Sequence, residues 1–171
     1  MNLKEYVRTI PDFPSPGILF YDIATLLEDA KAWRYTVDKM SDLVASDMPD
    51  HLVAIESRGF LIGASVAYKL GIGLTMVRKK NKLPGKTISF TYDLEYGSDT
   101  LEIQENAIQK GQKLILIDDL LATGGTIAAA AKLLQGIGAD LLASTFIIEL
   151  EFLNGRNNID MPVHSLVTYS G

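Results

Sequence analysis

A chain of 171 residues, 47% hydrophobic and 22% charged, has the size and usage of one folded domain with a real core, which excludes disorder as its main state. With no cysteine and only His51 and His164, disulfides, thiol catalysis, Cys-based zinc sites and a His-rich metal site are excluded too. A net charge of −5 argues against a nucleic-acid surface spread over the protein, and no apolar run reaches the roughly 18 residues of a membrane span.

Residues 1–21 read as an ordered arm or loop, because Pro11, Pro14 and Pro16 forbid helix there. Its apolar tail, Ile18-Leu19-Phe20-Tyr21, needs a surface to pack on. Between Asp29 and Ser46, apolar residues recur at three- and four-residue spacing (Trp33, Val37, Met40, Leu43, Val44). That predicts an amphipathic helix, stopped by Pro49. Residues 51–55 predict a buried strand, and 59–70 a helix closed by Gly71. A second strand over 74–77 leads into a basic loop, Arg78-Lys79-Lys80-Asn81-Lys82-Leu83-Pro84-Gly85. Residues 87–94 and 100–104 predict a hairpin joined through Glu95-Tyr96-Gly97-Ser98-Asp99. The cleanest buried strand spans 113–117, and a helix over 126–134 ends near Gly136 and Gly138. Two last strands are expected over 142–150 and 163–168.

This alternation predicts a single α/β domain with a mostly parallel sheet and right-handed crossovers. Ligands of such sheets bind at the carboxyl ends of the strands, so the residues after Ile55, Val77 and Ile117 are where chemistry is expected. The N-terminal residues show neither a long apolar core nor a small-residue cleavage site, so a cytoplasmic home is the expectation.

The strongest signal lies between Leu114 and Thr126. An apolar strand ends in Asp118-Asp119, a loop Ala122-Thr123-Gly124-Gly125 follows, and a helix opens at Thr126. Free amides and the positive dipole end of a helix suit a phosphate, and two threonine hydroxyls add donors. The carboxylates cannot bind that phosphate directly; they suit a diol, or a metal on a polyphosphate. Phosphate beside diol spells ribose 5-phosphate. The plain alternative is a strand–turn–helix with a threonine cap. Neither of the two common phosphate motifs, G-x-G-x-x-G or G-K-[ST], is present.

The segment from Asp118 to Thr126 resembles the phosphoribosyl-diphosphate motif of the type I phosphoribosyltransferases. The chain is similar over nearly its whole length to the adenine-using members of that family. The similarity includes Asp12-Phe13-Pro14, Pro16-Gly17-Ile18, Glu56-Ser57-Arg58-Gly59-Phe60, Lys82-Leu83-Pro84-Gly85 and Leu94-Glu95-Tyr96-Gly97. The resemblance implies the family's α/β fold, with an N-terminal hood over 1–28 and a flap loop and hairpin over 82–105. It implies transfer of phosphoribose from phosphoribosyl diphosphate to adenine, giving AMP and pyrophosphate.

It also implies roles. Glu56, Ser57, Arg58 and Gly59 become the pyrophosphate loop, with Arg78, Lys79 and Lys82 also on the diphosphate. Part of that basic loop would reach the neighbouring subunit of a homodimer. Asp118 and Asp119 hold the ribose, and Ala122, Thr123, Gly124, Gly125 and Thr126 hold its phosphate. Backbone groups at Ile18 and Leu19 bond the purine edge, Phe20 walls the ring, and Tyr96 lies on the flap with Glu95. Arg58, Glu95, Asp118 and Asp119 carry the chemistry. Members that use 6-oxopurines have an acidic residue at the position of Ala122, so Glu95 is the candidate carboxylate here. Magnesium is expected as cofactor, chelated by diphosphate, ribose and water with no protein ligand cage. Many relatives carry Arg at the position of Tyr21, which leaves no cation expected there. His51 and His164 are expected to be structural. The competing readings are a phosphoribosyltransferase for xanthine or orotate, and a non-catalytic sensor of phosphoribosyl diphosphate. The sensor reading lacks the extra domain or basic stripe it would need.

Overall fold

Among the described residues, nine strands and four helices follow one another as the hydrophobic periods require. They are described in a computed structural model that covers residues 1–93 and 97–171. The arm is more regular than its prolines suggest. A 3-10 turn, Leu3–Tyr6, precedes β1 (Arg8–Pro11), which pairs antiparallel with β2 (Leu19–Asp22). Pro11 closes β1, where a missing amide is tolerated. The short helix α1 (Ala24–Glu28) leads into α2 (Ala30–Ser46). Asp29 caps α2, its carboxylate accepting from Lys31 N at 2.9 Å and Ala32 N at 2.8 Å.

Then come β3 (His51–Ile55), α3 (Gly59–Leu70), β4 (Gly73–Lys79), β5 (Thr87–Asp93) and β6 (Ser98–Gln104). The chain finishes with β7 (Lys113–Leu121), α4 (Gly125–Gly136), β8 (Asp140–Leu150) and β9 (Val163–Tyr169). Seven strands form one sheet in the order β5-β6-β4-β3-β7-β8-β9. β4-β3-β7-β8-β9 are parallel throughout; β5 and β6 add an antiparallel hairpin at the β4 edge. The expected mostly parallel α/β sheet with a hairpin is what forms.

Both faces of the sheet are covered, which is why residues 52–55 of β3 and 114–117 of β7 read as unbroken apolar runs. Leu52, Ala54, Ile115 and Ile117 pack beneath α2 and α3, together with the hood residues Tyr21 and Ile23. Val53, Ile55, Leu114 and Leu116 face α4 and the hairpin. The two histidines are structural contacts: His51 Nε2 lies 2.8 Å from Thr75 Oγ1, and His164 Nε2 lies 3.0 Å from Asp47 Oδ2. Among the described residues no helix is long and apolar enough to cross a membrane.

Candidate active site

The carboxylate pair sits inside a strand, not after it. β7 continues past Ile117 to Leu121, with Asp118 opposite Phe146 and Leu120 opposite Ile148 on β8. The apolar run marks only the fully buried part of the strand, so the sequence ends it too early. Backbone pairing fixes both aspartates, and Asp119 is only 4% exposed. Asp118 Oδ1 accepts from Asp119 N at 2.8 Å. Arg58 Nε lies 2.7 Å from Asp119 Oδ2, off the line of a hydrogen bond, so this buried oxygen has charge beside it but no aligned donor. Burial, then the neighbouring carboxylate, push Asp118 well above the ordinary range. Burial raises Asp119 as well, against the opposing pull of Arg58. Gly59 permits the close approach of α3: a Cβ there would stand 2.7 Å from Asp118 Oδ1.

Beyond Leu121 the chain turns at Gly124, whose φ of +81° a side chain would resist. α4 starts at the next residue with no side-chain cap and no acid in its first turn. Ala128 N is the first amide bonded within the helix, to Gly124 O at 2.9 Å. The amides of residues 125–127 therefore face an approaching anion unpaired. Ala122, Thr123, Gly124, Gly125 and Thr126 line a cleft of about 450 Å³ together with Glu56, Ser57, Arg58, Lys79, Asp118 and Asp119. Three separate sequence motifs thus meet at the carboxyl ends of β3, β4 and β7.

Several predicted contacts are already engaged by the protein. Glu56 Oε2 accepts from Arg78 Nε at 2.8 Å and Lys79 N at 3.0 Å, so this carboxylate ties β3 to β4. Arg78 and Lys79 belong to β4, not to a loop; Arg78 Nη1 donates to Lys82 O at 3.2 Å. Among the described residues the cleft wall includes Lys79 but neither Arg78 nor Lys82. Lys79 Nζ lies 2.9 Å from Asp99 Oδ2, a pairing that raises the lysine and lowers the aspartate. Glu95 and Tyr96 lie outside the described residues.

On the hood side, the Arg58 guanidinium sits 4.9 Å from the centre of the Phe20 ring, and Phe13 meets the same ring edge-on at 5.0 Å. Arg58 thereby joins the aromatic wall to Asp119. Ile18 and Leu19 are each 46% exposed. The Ile18 amide donates to Ser15 O at 3.2 Å and its carbonyl accepts from Phe13 N at 3.2 Å, so the turn already uses both groups. Tyr21 points the other way, buried against Tyr169 with ring centres 4.4 Å apart. It is a packing residue of the hood.

Sequence reasoning missed what stands behind the phosphate-facing loop. Asn158 Nδ2 donates to Thr123 O at 2.8 Å across 35 residues of chain, and Gly155 abuts Gly124. No local pattern marks either residue, because only the β8–β9 connection brings them there.

A helix terminus open to a phosphate next to adjacent carboxylates, one buried and one half-buried, on a mostly parallel sheet with a hood, defines a phosphoribosyltransferase site. The family model described as a phosphoribosyl transferase domain matches residues 25–162. An adenine phosphoribosyltransferase of Rhodospirillum centenum is 59% identical over 99% of both chains. A crystal structure of the adenine phosphoribosyltransferase from Thermoanaerobacter pseudethanolicus superposes with a TM-score of 0.95 at 46% identity, covering 98% of each chain. That of Saccharomyces cerevisiae, complexed with D-2,5-dideoxy-2,5-imino-altritol 1,6-bisphosphate and adenine, superposes at 0.89 with 42% identity over 96% of each. The chain belongs to the phosphoribosyltransferases and, within them, to the adenine phosphoribosyltransferase family.

Proposed function

We propose that the cleft transfers phosphoribose from phosphoribosyl diphosphate to N9 of adenine, giving AMP and pyrophosphate in purine salvage. The observation that carries this reading is the run from β7 into α4: two strand-borne carboxylates, Asp119 buried and Asp118 half-buried, followed at once by unpaired helix-terminal amides. The amides of residues 125–127, with the hydroxyls of Thr123 and Thr126, hold the 5′-phosphate. Asp118 and Asp119 accept from the ribose hydroxyls, and their negative charge favours the oxocarbenium-like centre. Arg58 and Lys79, beside the turn at Glu56, Ser57 and Gly59, meet the diphosphate; Lys79 then exchanges Asp99 for it. Arg78 and Lys82 add field from just outside the wall.

Phe20 walls the purine. With Ile18 committed to its turn, Leu19 is the backbone left to read the purine edge. Residues 1–28 serve as hood and 82–105 as flap. Because the loop has Ala122 and no acid, Glu95 supplies the carboxylate that handles the proton at the purine ring, and Tyr96 is a further substrate-binding residue. Among the described residues no three His, Cys, Asp or Glu side chains gather as a metal cage. Two carboxylates, one with an undirected buried oxygen, nevertheless form the all-oxygen surface that suits a magnesium ion bringing most of its ligands with the substrate. When bound, magnesium neutralises charge on the departing pyrophosphate.

Two copies associate through α3, where Leu61 and Tyr68 share one outward face and are 45% and 92% exposed. The cytoplasm is the proposed site of action. The test is turnover by purified protein with phosphoribosyl diphosphate and a panel of bases, following pyrophosphate release. Release with adenine is expected; release with none of the bases would leave a sensor.

A further inference from the structure

Between β8 and β9 the chain makes two 3-10 turns, Glu151–Leu153 and Gly155–Asn158. The second lies against the back of the loop before α4. Gly155 and Gly124 are packed backbone to backbone: a Cβ on Gly124 would strike the Gly155 carbonyl, and one on Gly155 would strike the Ala122 carbonyl. Asn158 Nδ2 donates to Thr123 O at 2.8 Å.

The turn is itself anchored. Arg156 Nε and Nη2 donate to the Glu149 carboxylate at 2.5 and 2.6 Å, and Nη1 donates to Val163 O at 2.9 Å. Ser165 Oγ on β9 donates to the same carboxylate at 2.6 Å. Glu149 is buried on β8, and Arg156 holds its carboxyl below the ordinary range. A bidentate pair from the turn to β8, with a further bond to β9, makes a firm base.

We propose that Asn158 is a positioning residue for phosphate recognition. The Thr123 carbonyl and the Gly124 amide belong to one planar trans peptide unit, so they point in opposite directions. Fixing the carbonyl from behind aims the Gly124 amide forward, on the side of the cleft that Gly124 lines. Glycine at 124 gives that peptide unit freedom to turn over, so an anchor has something to prevent. Asn158 touches neither substrate nor reacting atoms; it acts through the loop. The inference rests on the reading of that loop as the 5′-phosphate site.

The experiment compares the full-length enzyme with Asn158→Ala and with Thr126→Val, a change in the first turn of α4 that follows the loop. AMP and adenosine binding are measured by calorimetry, and KM for both substrates, kcat and melting temperature are recorded. Asn158→Ala is expected to weaken AMP and raise KM for phosphoribosyl diphosphate about five- to tenfold, the loss of one hydrogen bond. Adenosine binding, KM for adenine, kcat and melting temperature should stay unchanged. If Thr126→Val loses AMP affinity and Asn158→Ala does not, the positioning role is wrong and the phosphate loop stands. If neither variant loses it, the phosphate reading itself is wrong. Equal weakening of AMP, adenosine and adenine, or a lowered melting temperature, would make Asn158 a general structural support and overturn the proposal.

Discussion

On the phosphoribosyl side of the cleft, two carboxylates hang from β7, a strand paired on one flank to β3 and on the other to β8. On the hood side, the wall is a two-stranded sheet and the turn before β2, where Ile18 and Leu19 are nearly half exposed. The first half is charged, buried and backed by anchored segments. The second is aromatic, with Phe20 held by Phe13 and the Arg58 guanidinium. A sugar phosphate presents fixed charges that repay preorganised partners. A neutral base presents a flat face and one polar edge, for which a stacking wall and a few backbone groups suffice. Arg58 touches both halves, through Asp119 and Phe20.

The comparison breaks most sharply at the carboxylates. Asp118→Asn with Asp119→Asn should lower kcat/KM at least about a thousandfold while circular dichroism stays unchanged. The same change should stabilise the fold at neutral pH. Both groups are raised from an ordinary value of 3.8, so the folded chain keeps protons that the unfolded chain has released. Ionising them costs stability as pH rises through the raised values, and that cost disappears as pH falls toward 3.8. The double variant should therefore melt at least about 2 °C higher than the parent at pH 7, the two converging on acidification. Parent-like activity would remove the ribose assignment.

The base half is tested by the base. Hypoxanthine and guanine present an oxo acceptor and a donor at N1 where adenine presents the reverse. Each mismatch leaves buried groups facing their own kind, at about 1–3 kcal/mol. Hypoxanthine, guanine and xanthine should therefore be at least about a hundredfold poorer in kcat/KM. Comparable efficiency with hypoxanthine would shift the specificity to another base and leave the phosphoribosyl half intact.

Arg58→Ala sharpens the boundary between the halves. Losing a charge-assisted contact should raise KM for phosphoribosyl diphosphate about ten- to a hundredfold, while AMP, which has no pyrophosphate, binds within about threefold of the parent. Equal losses for both ligands would move Arg58 from the diphosphate to the ribose–base junction, where it rests against Asp119 and Phe20. Glu95→Gln should lower kcat several-fold with KM almost unchanged, and an unaltered kcat would remove Glu95 from proton transfer. The smallest effect belongs to Asp99→Asn. Freed from its exposed ion pair, Lys79 should bind phosphoribosyl diphosphate and inhibitory pyrophosphate about two- to threefold more tightly. Weaker binding would mean that Asp99 positions the lysine and does not compete for it.

Local pattern alone carried much of this protein. Apolar runs marked β3 and β7, three- and four-residue spacing marked α2, and the step from Asp118 through Gly124 to Thr126 marked the phosphate-facing turn. Those signals are legible because strand pleat, helix period and helix-end chemistry each act over a few neighbouring residues. The extension of β7 through its aspartates was not legible, since polar residues end an apolar run whether or not the backbone remains paired. Nor were the pairing of β1 with β2 across three prolines, the capture of Glu56 by Arg78, the contact of Arg58 with both Asp119 and Phe20, or the seat of Asn158 behind Thr123. Each joins residues between 8 and 61 positions apart, and only tertiary packing brings such groups within contact distance. Side-chain partners at long range are chosen by that geometry, after local chemistry has already settled which elements exist.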